Sequence, residues 1–448
     1  MRKMKDSGIE WIGEIPEDWN LLRMKSCISK RDGGAWGDDV TGENDTICLR
    51  IADFDYSKFL FKDTKVEDLT KRHYNSDVIE KLKLNKDDIL IEKSGGGEKT
   101  PVGRTVIFDK DYTALFANFM ERLRCSNFVF PKFMQYVFVT FYKNDYTRNY
   151  IKQTTGIQNL DLTSMLAEEN VPVPTIYEQQ KISAFLDRKC TEIDSVISKT
   201  KATIEEYKKL KQSVITQAVT KGIIPNRPMK DSGIEWIGEI PQEWEIIPFR
   251  YVLKERNEKN SPIKSYERLS LSIDLGVTTY SEKTTNLDRF KEDFEQYKLA
   301  HIGDLVMNSM NMIVGATGVS DYYGCVSPVY YTFYDETESH ITAKFCEYIF
   351  RSKAMLRVLY SLGKGIYAIV RGDDRVNTCR LKVAKEDLKS LKIPLPTVQE
   401  QQEIVNYLDE KCSEIDKLIA KKEQLLTEME NYKKAVIYEY VTGKKEVK

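Results

Sequence analysis

The sequence predicts an α+β protein built twice over: two mixed α/β globules separated by two long antiparallel helices that form a coiled coil, the halves related by a pseudo-twofold internal repeat. Three observations carry this. Met4 to Pro16 reads MKDSGIEWIGEIP, and the same thirteen residues return from Met229 to Pro241, each copy followed three residues on by a tryptophan, Trp19 or Trp244. A period near half the chain length marks two copies of a domain-sized unit. Each half also closes on a Pro-x-Pro-Thr-x-x-Glu-Gln-Gln stretch, at Pro172 and Pro394, which opens a long heptad pattern. Between these repeated ends lie segments of short aromatic and β-branched runs punctuated by glycine, and these middles differ from each other.

The totals bound the class. At 448 residues the length suggests about three domains of ~150 residues, which the repeat reduces to two large units with shared parts. A hydrophobic content of 41% with 31% charged residues describes a soluble globular chain. No run approaches the ~18 apolar residues of a membrane span, and the N-terminus lacks the apolar core of a signal peptide. A cytoplasmic protein is therefore expected. Eight cysteines are scattered without a Cys-x-x-Cys pair, and histidine occurs only at positions 73, 301 and 340, so neither a zinc site nor a disulfide framework is expected. The net charge of −1 gives no whole-protein field that would attract nucleic acid. Any such binding must rest on locally arranged cations or on a partner.

In chain order, residues 1–20 form a first clasp. Ile9, Trp11, Ile12, Ile15 and Trp19 are apolar anchors around Gly13 and Pro16, and Glu17 and Asp18 suit a single helical turn begun at the proline. Residues 21–170 form the first globule: Thr46–Ile51 and Ile89–Ile91 read as strands, Gly95-Gly96-Gly97 as a flexible turn, Phe130–Tyr142 as a helix and Gln153–Leu160 as a polar loop. Residues 171–224 are a spacer helix. Thr175 and Glu178 make a capping box, in which hydroxyl and carboxylate satisfy free amides of the helix start. Its seam runs through Cys190, Ile193, Ile197, Thr200, Ile204, Tyr207, Lys211, Val214 and Ala218, and Gly222 and Pro225 end it. A helix of roughly 44 residues spans about 65 Å, longer than a compact domain needs.

The cycle then restarts. Residues 225–245 repeat the clasp with Trp236 and Trp244, and residues 246–392 form a second globule with strand-like Arg268–Asp274, Asp304–Met307 and Val329–Tyr334. Residues 393–448 repeat the spacer helix, with the Thr397/Glu400 capping box and a seam of Cys412, Ile415, Ile419, Lys422, Leu426, Met429, Lys433, Val436 and Tyr440. Polar residues break both seams at Thr200, Lys211, Lys422 and Lys433, which argues for a specified register over maximal stability.

No catalytic constellation emerges. Gly95 to Thr100 lacks the glycine that a phosphate-binding loop needs directly before Lys-[Ser/Thr], since Glu98 stands there. Ser327-Pro328-Val329-Tyr330 reads as a strand entry, and Glu206-Tyr207-Lys208 lies inside the long helix without the strand and partner Asp of a metal nuclease. Cys190 and Cys412 are small seam residues. No catalytic and no metal-binding residue is assigned.

The arrangement resembles the specificity subunits of type I restriction-modification systems. The residues that carry the resemblance are the paired Gly-Ile-Glu-Trp-Ile-Gly-Glu-Ile-Pro-x-x-Trp stretches, the helix starts at Pro172 and Pro394 and the long helices closing each half, and together they cover the whole chain. The resemblance implies a non-catalytic subunit that binds double-stranded DNA through two target-recognition domains, each reading one half of a split, asymmetric sequence, with the helices setting the gap. It implies two modification (methyltransferase) subunits and restriction (nuclease and translocase) subunits as partners, with adenine methylation and ATP-dependent cleavage carried out there. S-adenosylmethionine, ATP and Mg2+ would belong to those partners, and no cofactor to this chain. The half-sites would lie about one helical turn, ~34 to 36 Å, apart. A coiled-coil scaffold and a DNA-modifying enzyme acting alone are the alternatives. Base-reading side chains are expected on loops, because base-edge contacts specify sequence while phosphate contacts position the protein. The candidates are Lys93, Ser94, Lys99, Arg104 and Gln158 in the first domain and Asn308, Asn311, Tyr367, Arg371 and Arg375 in the second.

Overall fold

The computed structural model describes residues 2–43, 45–153, 156–273, 275–283, 293–337, 339–366 and 380–447. It comprises two compact units, Met1–Ala202 with Glu423–Lys448, and Thr203–Lys422. These boundaries cut across the segments read along the chain, because each long helix contributes one part to each unit.

In the first unit a sheet runs in the order Ile28–Gly33, Met120–Cys125, Ile89–Glu92, Thr105–Ile107, then Leu60–Phe61 and Phe54–Asp55. Its first four strands pair antiparallel, with Leu123 opposite both Arg31 and Ile89, and Val106 opposite Leu90. The helix Pro131–Lys143 starts on a proline, whose missing N–H costs nothing in the first turn, and buries Phe133, Tyr136, Val137 and Phe141. The second unit has the strands Lys254–Arg256, Tyr330–Tyr334, Leu305–Asn308 and Thr317–Val319 in the same order, again antiparallel throughout, with the helix Ile341–Arg351. The middles that differ in sequence therefore share a four-stranded frame. In both units the strand entering the domain pairs with the strand leaving it: Asn20–Arg23 with Asn170–Val173, and Glu245–Pro248 with Lys392–Leu395.

The clasps are β-hairpins. Met4–Asp6 pairs with Glu14–Pro16 and Met229–Asp231 with Glu239–Pro241. The helical turn expected at Pro16 does not form. Pro16 ends a strand, and its carbonyl accepts the Trp19 N–H at 3.0 Å, so Glu17 and Asp18 become the corners of a tight turn.

The long helices run over Ile176–Lys221 and Val398–Val441, 46 and 44 residues. Thr175 and Thr397 each cap with the hydroxyl, accepting the N–H of Glu178 or Glu400 at 3.3 Å. The glutamates do something else: Glu178 accepts the Trp19 indole N–H at 3.1 Å and pairs with Arg2, and Glu400 accepts that of Trp244 at 2.9 Å and pairs with Arg227. Each carboxylate thus ties a clasp to a helix start instead of closing a capping box. The far end of a helix completes each joint. A Cβ on Gly443 would sit 2.5 Å from Pro16, and one on Gly222 3.2 Å from Trp244, and both glycines have positive φ.

Within the first unit the helical segments are antiparallel, since Phe185 stacks on Tyr440 with ring centres 4.3 Å apart and Asp194 meets Lys433 at 2.7 Å. Within the second, Lys211 meets Asp416 at 2.6 Å, while Ala218 and Tyr407 line one cleft. The polar residues that interrupt the seams thus include two lysines, each paired with an aspartate of the opposite helix. Burial pushes the thiols of Cys190 and Cys412 up to about 11, which keeps both protonated near neutral pH.

Candidate nucleic-acid interface

In the first unit a small three-stranded sheet stands beside the main one, ordered Ser94–Gly95, Gln158–Leu160, Ile151–Gln153. The segment expected as a polar loop is thus a hairpin, with Lys152 opposite Asn159 and Ser94 on Asn159's other side. Side chains alternate across a strand, and here the alternation separates two neighbours. Gln158 is 6% exposed and its side-chain oxygen accepts the Val102 N–H at 3.3 Å. Asn159 is exposed and its oxygen accepts the Ser94 hydroxyl at 2.6 Å. Lys152, Asn159 and Ser94 form the solvent-facing row.

The glycine-rich segment is a formed turn. Gly97 and Thr100 exchange backbone bonds at 3.0 and 3.2 Å, leaving Glu98 and Lys99 exposed at the tip. Gly96 has φ +62°, and a Cβ there would lie 2.8 Å from the Val102 nitrogen, so only glycine fits.

The sequence candidates separate accordingly. Lys99 and Ser94 face solvent or the exposed row. Lys93 is half-exposed but reaches Glu121 at 2.8 Å, and Arg31 holds the same carboxylate. Burial alone would raise the Glu121 carboxyl, but the bonds from Arg31 and Lys93 outweigh it and bring it below its ordinary value. Arg104 is committed: two bonds of 2.7 Å bind it to the buried Glu92, and its guanidinium lies 3.7 Å from the Tyr56 ring centre. Gln158 and Asn308 face inward rather than toward a groove. Asn308 is 9% exposed, its oxygen accepting the Met310 N–H at 3.1 Å. Asn311 is exposed, and its carbonyl accepts from Val314 and Ala316, both at 3.1 Å, which makes it a turn former. Tyr367, Arg371 and Arg375 lie outside the described residues.

The second unit carries a matching antiparallel strand pair, Lys364–Ile366 with Arg380–Lys382, in which Lys364 is opposite Lys382 and Gly365 opposite the buried Leu381. In both units a hairpin lysine is anchored by an aspartate near the following short helix: Lys152 on Asp161 at 2.7 Å and Lys364 on Asp387 at 3.1 Å. Lys152, Asn159, Lys364 and Lys382 were not among the sequence candidates. The signal that finds them is the two-residue alternation, visible once each stretch is read as paired strands. Among the described residues no three His, Cys, Asp or Glu side chains converge to hold a metal ion, and no helix is long and apolar enough to cross a membrane.

Comparison with known proteins bears on both units. The family model described as the type I restriction modification DNA specificity domain matches twice, over residues 68–206 and 275–428. The chain is 23% identical over 451 aligned positions to the putative type I restriction enzyme MjaX specificity subunit of Methanocaldococcus jannaschii, covering 98% of this chain and 96% of that one. It is 22% identical over 380 positions to the type I restriction enzyme StySPI specificity subunit of Salmonella potsdam, covering 82% and 76%. Among solved structures, a chain from work on complex assembly and conformational transition of the type I R-M system superposes with a TM-score of 0.66 at 14% identity, covering 95% of this chain and 98% of that one. The HsdS subunit from Thermoanaerobacter tengcongensis gives 0.50 at 14% identity, covering 96% and 98%.

Proposed function

The chain belongs to the type I restriction-modification DNA specificity family, and from that premise we propose that each unit reads one half of a split DNA target through its hairpin and adjoining turn. The observation that carries this is the repeated four-stranded frame with unlike hairpins: one frame positions two readers, and the readers differ. In the first unit Lys152, Asn159, Ser94 and Lys99 meet the DNA, with asparagine suited to adenine and lysine to guanine or phosphate. Lys364 and Lys382 play the corresponding part in the second. The length of the paired helices sets the interval between half-sites.

Methyl transfer and cleavage are the work of partner subunits in the cytoplasm, which bring S-adenosylmethionine, ATP and Mg2+. Two modification subunits dock along the long helices. One residue before a seam position, an apolar side chain is exposed: Val196 and Tyr432 in the first unit (43% and 45%), Leu210 and Leu418 in the second (49% and 42%). Apolar residues two heptads apart beside a seam offer a second stripe for a partner helix. The test is domain exchange. Replacing residues 21–150 with those of another family member should change one half of the methylated motif and leave the other half unchanged. A change in both halves would contradict the division of labour.

A further inference from the structure

The two clasps have one sequence and two environments. Trp11 is 4% exposed, walled by Phe141 and Tyr146 with ring centres 5.6 and 5.9 Å away. Its neighbour Ile12 has its carbonyl bonded by Tyr438 at 3.3 Å and by Lys444 at 2.7 Å. In the second unit the residue matching Tyr438 in the aligned helix ends is Thr216, and the helix Lys353–Leu362 follows Ile341–Arg351 in the chain as the turn Tyr146–Tyr150 follows Pro131–Lys143 in the first unit. Trp236 packs against the core but is only partly buried, on the wall of an open groove of about 1030 Å³.

The groove is basic. Lys208, Lys209, Lys221, Lys353 and Arg357 line it against one carboxylate, Glu205, which Lys208 already pairs at 3.0 Å. Lys209, Lys221, Lys353 and Arg357 are exposed and have no ion-pair partner among the described residues. Its polar floor includes Gln212, Thr216 and Thr220. Unpaired cations around an aromatic face call for a ligand with both carboxylates and an apolar side chain. A duplex would bring phosphates to the rims but nothing to cover the indole within a concave groove.

We propose that this groove docks an acidic peptide segment of a partner protein, with an apolar side chain of that segment seated on Trp236 and its carboxylates on Lys353, Arg357 and Lys209. The equivalent place in the first unit is already filled by Phe141, Tyr146 and Tyr438, so the identical clasps are unequal docking sites. The proposal stands apart from the reading of DNA by the hairpins.

Fluorescence anisotropy with the full chain and a fluorescein-labelled peptide of repeated Glu-Glu-Leu triplets tests it. Trp236→Ala, and Lys353→Glu with Arg357→Glu, should each weaken binding roughly tenfold, and added salt should weaken the wild type. Trp36→Ala, at an exposed tryptophan elsewhere, should leave binding unchanged; circular dichroism and melting confirm that each variant is folded. No binding by the wild type, or equal binding by all variants, overturns the proposal. So does a charge reversal that spares peptide binding and lowers duplex affinity, which would make the groove a DNA contact.

Discussion

Trp11 and Trp236 occupy the same place in the same thirteen residues, yet one is sealed and the other faces a basic groove. Trp19 and Trp244 behave alike: both are 1% exposed and both donate to the first-turn glutamate of a long helix. The difference teaches where each part of the repeat acts. Trp19 and Trp244 close the frame, so both copies keep one geometry. Trp11 and Trp236 face the variable middle of their unit, so the surroundings decide what each becomes. In the first unit sealing leaves the Trp11 N–H buried without a hydrogen-bond partner among the described residues, a cost that the packing of Phe141 and Tyr146 must exceed. The seam lysines differ in degree too. Lys433 is 11% exposed, with bonds of 2.7 and 2.8 Å to Asp194 and a third of 2.7 Å to the Ser57 carbonyl, which uses all three ammonium donors. Lys211 is 28% exposed and its partner Asp416 54%.

The largest expected effect tests the symmetric pair. Trp19→Ala and Trp244→Ala should each cost about 3–5 kcal/mol, measured by denaturant unfolding, because each opens a core and removes one hydrogen bond from a partly buried glutamate. If one is silent, the clasps are not equivalent closures. The lysines test the asymmetric pair next. Lys433→Ala should cost about 3 kcal/mol, since it leaves Asp194 and a carbonyl without their cation, whereas Lys211→Ala should cost about 0–1 kcal/mol. Equal losses would show that burial does not distinguish the two locks.

The smallest effect concerns pH. The bond from Lys152 first, and then the N–H of Ser164, bring the Asp161 carboxyl down to about 2. A carboxyl depressed in the folded state contributes stability that is fully present above its unfolded value, near 3.9, and lost as pH falls through about 2. The hairpin anchor should therefore persist at pH 3. An NMR titration of Asp161 should show its midpoint rise in Lys152→Ala; an unchanged midpoint would detach the hairpin from this anchor.

What could be read along the chain follows the range of each interaction. The long helices announce themselves because a heptad seam and a threonine cap are local patterns, and they form from Ile176 and Val398 as those patterns predict. The shared sheet is barely legible, because its order depends on which distant strands pair: Leu123 meets Ile89 in one unit and Phe333 meets Leu305 in the other, and only the faint likeness of Asp88-Ile89-Leu90 to Asp304-Leu305-Val306 marks one of the shared strands. The clasp was visible as a repeat but not as a hairpin, since Pro16 can open a helix or end a strand and the pairing with Met4 decides. At the proposed reading surface the difference is one residue wide. Gln158 has the chemistry of a base reader but the inward phase of its strand, and Asn159 has the outward one. Lys99 is at the tip of its turn, where a glycine-rich stretch could place it, while Arg104 looked free until its partner Glu92 came within reach from the neighbouring strand.

The account rests on two units reading two half-sites, and methylome sequencing of cells expressing this chain with a modification partner tests it most directly. A bipartite asymmetric motif with an unspecified interval of fixed length is the expected result. A single continuous motif, or methylation without a motif, would contradict it.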